Sequence, residues 1–257
     1  MCLILIAYRT HPRYPLIVAA NRDEFYDRPT APATFWETEP PILAGKDLRS
    51  GGTWFGISRQ GRIAALSNFR DPRTVKKDAP SRGSLVTKFL LGAFPAADYL
   101  AALQQRAAEY NGYSMIFGNW QQLYVYSNKG AMPPLLQPGI HGLSNHLLDT
   151  PWPKVSQGKN ALAAVLAKGG EPAVEELFAL LADSSMPADN LLPDTGIGLE
   201  WERLLAPLFI SGPVYGTRSS TILMIDQDAT VSFYERTYNG GNPGKGTTLR
   251  YRFRIEP

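Results

Sequence analysis

The sequence predicts an α+β fold of two stacked, mainly antiparallel β-sheets with helices on the outside. Three observations carry this expectation. The chain opens on two apolar runs, Cys2–Tyr8 and Leu16–Ala20, joined by a turn at Thr10–Pro15 that holds two prolines. A hairpin apolar on both faces needs a layer above it and a layer below it. The elements also come in blocks of strands and blocks of helices, which argues against the single alternation of a doubly wound parallel sheet. Finally, 23 glycines and 21 prolines supply turns for many short strands.

The elements follow in order. After the first hairpin comes the polar cluster Asn21-Arg22-Asp23-Glu24, then a proline-rich loop from Arg28 to Pro41. Gly52–Ser58 and Arg62–Asn68 flank Arg59-Gln60-Gly61 and read as a second hairpin. Ser81–Leu91 places Leu85, Phe89 and Leu90 at helical spacing. Pro95–Tyr110 starts on proline, is rich in alanine and is followed by Asn111-Gly112, which are helix start and stop signals. Tyr113–Asn119, Gln121–Ser127 and a shorter segment near Ile140–Ser144 read as strands. Pro153–Lys168 is a helix ending at Gly169-Gly170, and Glu171–Ala182 is another, with Pro172 in its first turn. Asp183–Gly198 reads as a loop and Glu200–Leu205 as a short helix. Tyr215–Asp226, Thr230–Tyr238 and Thr247–Ile255 finish the chain as strands.

The 257 residues show no internal repeat, no low-complexity tract and no long linker, so one domain over residues 1–257 is expected. Hydrophobic residues at 44% and charged residues at 19% exclude wholesale disorder. A formal net charge of +3 is too small to imply nucleic acid. The single cysteine excludes an intramolecular disulfide and any multi-cysteine metal site. The run Leu3–Tyr8 is too short for a signal-peptide core, and nothing approaches the roughly 18 apolar residues of a membrane span. A cytoplasmic protein without an integral membrane segment or a metal is expected.

That cysteine, Cys2, follows the initiator methionine. Removal of Met1 would leave a thiol and an α-amine on one residue, and an amine with a pKa of about 7.7–8 suits a general base beside a strong nucleophile. In the first hairpin the Asn21–Glu24 cluster lies near the Cys2 end of its partner strand, where an arginine favours the thiolate. Alternate residues of a strand face opposite ways, so Asn21 and Asp23 share one face and Arg22 the other, and the sequence leaves open which face meets the thiol. Asn68 and Asn145 each end a short strand, where a side-chain amide can donate to a developing oxyanion. Arg218 stands among small polar residues at a strand start, as a carboxylate or phosphate contact requires.

Other signals fail. Gly240 to Thr247 lacks the first glycine and the Ser or Thr of a phosphate loop, and a strand follows it. His141 and His146 lack metal-helix spacing. Arg250, Arg252 and Arg254 alternate with Tyr251, Phe253 and Ile255, a half-buried strand with a basic outer face.

Together, Met1-Cys2, Asn21-Arg22-Asp23-Glu24, Ala44-Gly45-Lys46-Asp47, Gly51-Gly52-Thr53-Trp54, Leu66-Ser67-Asn68-Phe69-Arg70, Leu143-Ser144-Asn145, Pro151-Trp152-Pro153-Lys154 and Tyr215-Gly216-Thr217-Arg218 resemble the NRDE family, also called the transport-and-Golgi-organisation homologue family. The resemblance runs from residue 1 to about residue 238. It implies a four-layer αββα sandwich similar to the N-terminal nucleophile hydrolases, in which a terminal cysteine attacks an amide. By that resemblance Cys2, Arg22, Asp23, Asn68, Asn145 and Arg218 would occupy catalytic places, and Asn21, Arg22, Asp23, Glu24, Asn68 and Arg218 would line the ligand site.

The resemblance implies two functions. The first is the handling or trafficking of a small hydrophobic ligand, haem or acyl-coenzyme A, in a pocket around Cys2 and the Asn-Arg-Asp-Glu motif. Haem would take a Cys or His axial ligand, and the arginines would meet propionates or phosphates. The alternative is a Cys2-dependent hydrolase of a linear amide or thioester.

Overall fold

The computed structural model describes residues 2–256, and the expected removal of Met1 concerns a residue outside them. Twelve strands and five α-helices are present among the described residues. One sheet has the order β12-β11-β10-β2-β1-β9, the other β3-β4-β5-β6-β7-β8, and every pairing is antiparallel. In the first sheet β1 is Cys2–Tyr8, β2 Leu16–Phe25, β9 Gly139–Leu143, β10 Tyr215–Ile225, β11 Thr230–Tyr238 and β12 Gly246–Arg254. In the second, β3 is Thr30–Phe35, β4 Ile42–Asp47, β5 Phe55–Ser58, β6 Ile63–Asn68, β7 Tyr113–Asn119 and β8 Gln122–Ser127. The helices are α1 Gly83–Leu91, α2 Ala96–Gln105, α3 Pro153–Ala167, α4 Val174–Leu181 and α5 Leu199–Leu204.

Period-2 alternation sorts β1 into two cores. Ile4, Ile6 and Tyr8 meet Leu43, Phe55, Ile57, Ile116 and Val125 of the second sheet. Leu3, Leu5 and Ala7 turn the other way and pack with Leu162, Leu177 and Phe178 of α3 and α4. Every residue of β1 is buried, which is why the segment carries no solvent-facing polar position. A third core joins Ala64, Leu66, Met115 and Phe117 of the second sheet to Leu85, Phe89, Tyr99 and Leu103 of α1 and α2. The layers therefore run helix, sheet, sheet, helix, as the sequence predicts.

Several boundaries differ, each for a physical reason. The stretch read as a loop from Arg28 to Pro41 contains β3. This is an edge strand whose register shifts between Ala31 and Thr34, and Pro32 is tolerated there because an edge position needs no ladder donor. β4 lies next to it and carries only three fully buried residues. β2 does not stop at Ala20 but continues through Asn21–Glu24 to Phe25, because β1 and β10 supply ladder partners on both sides. Residues 52–54 precede β5 rather than belonging to it, α2 ends at Gln105 ahead of a separate 3₁₀ turn, and Pro172 lies before α4.

Leu5 is fully buried, and a Cβ on Gly158 would stand 2.9 Å from both of its methyl groups, so α3 closes directly onto it, with β9 in contact at Gly142. Leu5→Ala is expected to lower unfolding free energy by about 2–5 kcal/mol, read as a lower denaturant midpoint at unchanged m-value.

Candidate functional site

The register of β2 builds the site. Cys2 pairs with Arg22 across the β1–β2 ladder, so the polar cluster does reach the cysteine. Val18 and Ala20 face the second sheet, and Arg22 and Glu24 continue in that phase, as Cys2 continues the phase of Ile4. Asn21 and Asp23 continue the phase of Ile17 and Ala19 toward the helices. The motif is thus split. Asn21 Nδ2 donates to the carbonyls of Leu181 and Leu208 at 2.8 Å, and its Oδ1 accepts from the Ser220 hydroxyl at 2.5 Å. Asp23 Oδ1 accepts from the Thr217 hydroxyl at 2.7 Å, which in turn accepts the Ile210 N–H.

A cavity of about 480 Å³ opens between the two sheets at this end. Cys2, Arg22, Leu66 and Asn68 line it, as do Asp23 and Glu24, and five cationic side chains reach it: Arg22, Arg28, Lys46, Arg82 and Arg218. Arg28 is spoken for, with Asp47 at 2.6 Å and Glu24 at 3.8 Å. Arg22, Arg82 and Arg218 have no carboxylate within 4 Å among the described residues. Arg218 is the extra residue of a bulge between Thr217 and Ser219, the device that aims it at the cavity. Its guanidinium donates to the carbonyls of Phe25 and Arg28 and to the Thr30 hydroxyl. Arg82, just before α1, donates to Gly112 O at 2.9 Å. Burial holds the pKa of Arg82 and of Arg218 below the usual guanidinium value, because each is desolvated without a counter-ion. Gly52 allows α1 to close the wall, since a Cβ there would stand 2.7 Å from the backbone of Gly83.

Cys2 is 7% exposed, and burial pushes its thiol up to about 11, with Arg22 pulling down and Asp23 pushing up. The resting group is therefore a thiol and not a thiolate. Ser67 Oγ donates to the Cys2 carbonyl at 3.2 Å and accepts the Asn145 N–H at 2.9 Å, tying the start of β1 to the ends of β6 and β9. Asn145 adopts a left-handed conformation (φ 56°). Its Nδ2 donates to Asn68 O at 3.0 Å and its Oδ1 accepts from Arg70 at 3.4 Å. Asn145 therefore holds Asn68 in place and does not itself line the cavity, whereas the Asn68 side chain does.

Behind the cavity, Arg70 and Glu202 form an ion pair of 2.5 Å with side chains 5% and 3% exposed, and the Arg70 guanidinium lies over the Trp152 ring. Glu202 also accepts from the backbone and hydroxyl of Thr195. Lys154, in the first turn of α3, is 2% exposed, and its Nζ has no hydrogen-bond partner among the described residues. Burial draws its pKa down to about 8, against the pull of the Asp23 carboxylate. The same burial raises the pKa of Asp23, with Lys154 opposing.

Sequence reasoning finds Cys2, Arg22, Asp23, Glu24, Asn68 and Arg218, which share the cavity, and Asn21 and Asn145, which lie outside its lining. It misses Arg28, Lys46, Arg82 and Glu235 as lining residues. Glu235 has a legible signal: Val231, Phe233 and Glu235 occupy alternate positions of one strand, which puts a carboxyl group in a core phase. The histidines stand elsewhere. His11 contacts Gly170 O, His141 contacts Asp149, and His146 contacts Thr150. No group of three or more His, Cys, Asp or Glu able to hold a metal is present among the described residues. No helix among them is long and apolar enough to cross a membrane.

Residues 1–240 match the family described as Transport and Golgi organisation 2. The chain is 35% identical over 276 residues to the Transport and Golgi organization protein 2 homolog of Bos taurus, covering all of both chains. It is 34% identical to the Homo sapiens homolog, again over the full length of both. Among solved structures, the Caenorhabditis elegans N-acylethanolamine-hydrolyzing acid amidase ortholog superposes with a TM-score of 0.50 at 12% identity, covering 86% of this chain and 92% of that one. That likeness bears on fold and agrees with the N-terminal nucleophile hydrolase architecture.

Removing one member of a buried ion pair strands the other charge. Glu202→Gln is expected to lower unfolding free energy by about 3–5 kcal/mol, measured by denaturant titration.

Proposed function

This chain belongs to the Transport and Golgi organisation 2 family, and on that footing we propose that its inter-sheet cavity binds and hands on a small ligand with an apolar part and anionic groups, acyl-coenzyme A ahead of haem, in the cytoplasm. The observation that carries this reading is the trio of lining arginines Arg22, Arg82 and Arg218, which are part-buried and have no carboxylate within 4 Å among the described residues. A desolvated guanidinium without a counter-ion gains from meeting a phosphate or carboxylate, often by two parallel hydrogen bonds. The volume suits a small-molecule site, and Leu66, Trp54 and Pro32 offer apolar contact beside the cations. The lining supports haem less well. It holds no histidine, and the Cys2 thiol resists the deprotonation that an axial thiolate requires.

A second reading is favoured by one observation, the cross-strand pairing of Cys2 with Arg22 at the wall of the same cavity. Here the chain hydrolyses a linear amide or thioester. Sγ would attack the carbonyl carbon, its proton passing to the α-amine exposed by loss of Met1 or to water and then to the departing amine or thiol as the scissile C–N or C–S bond breaks; water would then hydrolyse the S-acyl Cys2 to the free acid and the thiol. Arg22 or Arg218 would favour the thiolate and Asn68 the oxyanion, with Asn145 acting through Asn68. Asp23 would orient the amine, and Asn21 and Glu24 would hold the strand that carries them.

Two measurements test these readings. In calorimetric titration with a soluble acyl-coenzyme A, Arg22→Ala and Arg218→Ala are each expected to weaken binding about ten- to a hundredfold, the loss of one charge-assisted contact. Unaltered affinity in either variant overturns the binding reading. For the second reading, incubation with acyl-coenzyme A or an N-acyl amine should release product in the native protein and none in Cys2→Ala. Equal release by both would overturn it, and a fully retained Met1 by intact mass in the turning-over protein would overturn the α-amine as its base.

A further inference from the structure

The cavity wall also carries a carboxyl group outside its ion pairs. Glu24 and Asp47 are engaged by Arg28, and Asp23 accepts from the Thr217 hydroxyl. Glu235, on β11, is 3% exposed and lines the cavity. Its Oε1 accepts the Ala33 N–H of edge strand β3 at 2.5 Å. No cationic side chain lies within 4 Å of it among the described residues. A Cβ on Gly45 would stand 3.4 Å from Oε2, an ordinary contact distance, so β4 passes close beside this oxygen.

The register fixes where this carboxyl sits relative to the cations. Glu235 pairs with Thr221 of β10, and Thr221 pairs with Ala20 of β2, one pleat from Arg22. Glu235 thus lies on the same face as Arg22, two strands or roughly 10 Å away, with Cys2 one strand beyond. The wall presents a thiol at one end, guanidinium groups in the middle and a carboxyl group outside any ion pair at the other.

We propose that Glu235 is a specificity-determining residue of this cavity, neutral when the ligand is bound, so that the anion and one proton enter together and the carboxylic acid donates a hydrogen bond to an acceptor atom of the ligand. This rests on the anion-binding reading above. An ionised carboxylate in a low-dielectric wall opposes an anion in the same space, and an acid there adds a donor to it. Of the charged and titratable groups, Arg22 of β2 acts on Glu235 directly, Cys2, Asp23, Glu24, Arg28, Lys46, Asp47, Arg82, Arg218 and Tyr238 share the cavity lining with it, and the Tyr251 hydroxyl of β12 donates to Ala33 O. β3 offers only the Ala33 N–H.

Burial pushes the Glu235 carboxyl up to about 7, with Arg22 opposing. A bound anion pushes it further. Above about pH 7 the free protein carries the carboxylate, and binding takes a proton from water. Below that the acid is already formed and no proton moves.

The experiment is calorimetric titration of the full chain with octanoyl-coenzyme A between pH 6 and 9, in wild type, Glu235→Gln and Arg22→Ala. The ratio of wild-type to Glu235→Gln affinity removes the titration of the ligand and of the other side chains. That ratio is expected to fall by up to tenfold per pH unit above pH 7. Titrations of wild type at pH 8 in two buffers of different ionisation enthalpy should show uptake of close to one proton, a readout that needs no variant. A pH-independent ratio, or no proton uptake at pH 8, overturns the role of Glu235 alone. Absence of binding at every pH, or undiminished binding in Arg22→Ala, overturns the anion-binding reading together with it.

Discussion

The central position of β2, hydrogen-bonded to β1 on one side and β10 on the other, is the constraint on which the site depends. Full pairing on both edges keeps four consecutive polar residues in extended conformation, and the pleat then sends them to opposite faces. Asn21 and Asp23 are drawn into the helix-facing layer, where an unmet polar group would cost about 1–3 kcal/mol. Asn21 avoids that cost with three hydrogen bonds, to α4, to the Leu208 carbonyl and to β10. Arg22 and Glu24 are sent the other way, between the sheets. The same four residues therefore anchor the strand on one face and furnish the cavity on the other. The β10 bulge completes the arrangement by bringing Arg218 to that cavity.

Electrostatics gives the cavity its character. Clustered guanidinium groups between low-dielectric walls focus a positive potential and draw anions toward it. Burial disfavours the charged forms of Arg82 and Arg218 and holds their pKa values below the usual guanidinium value. Within the lining, Asp47 and Glu24 are taken up by Arg28, and other carboxylates pair away from it, Glu202 with Arg70 and Asp149 with Lys159 and His141. The cysteine that the sequence makes conspicuous sits at the edge of this field as a neutral thiol, so the cations and not the thiolate dominate the resting site.

Much of this was legible in the sequence, and the exceptions have physical causes. The layered antiparallel architecture followed from Cys2–Tyr8 and Leu16–Ala20, since runs apolar on both faces demand two covering layers. The meeting of Cys2 with the polar cluster followed from hairpin geometry. The edge strand β3 was hidden because Pro32 and the shifted register erase the period-2 pattern. The continuation of β2 was hidden because charge in a central strand is rare unless partners on other elements satisfy it, and those partners lie about 160 to 200 residues away in sequence. Arg28, Arg82 and Glu235 come from a turn, a helix approach and a distant strand, and only the topology brings them to one cavity. Asn145 looked like Asn68 in sequence, yet its left-handed backbone turns its amide onto the backbone of β6.

The single cysteine gives a direct test, because alkylation of this chain by iodoacetamide reports on one thiol at the wall of the cavity. The rate of Cys2 modification at pH 8 should fall saturably as acyl-coenzyme A is added. The half-effect concentration should equal the calorimetric dissociation constant and should move upward in Arg22→Ala. A modification rate that stays constant while the ligand is bound would place the ligand elsewhere and contradict the account.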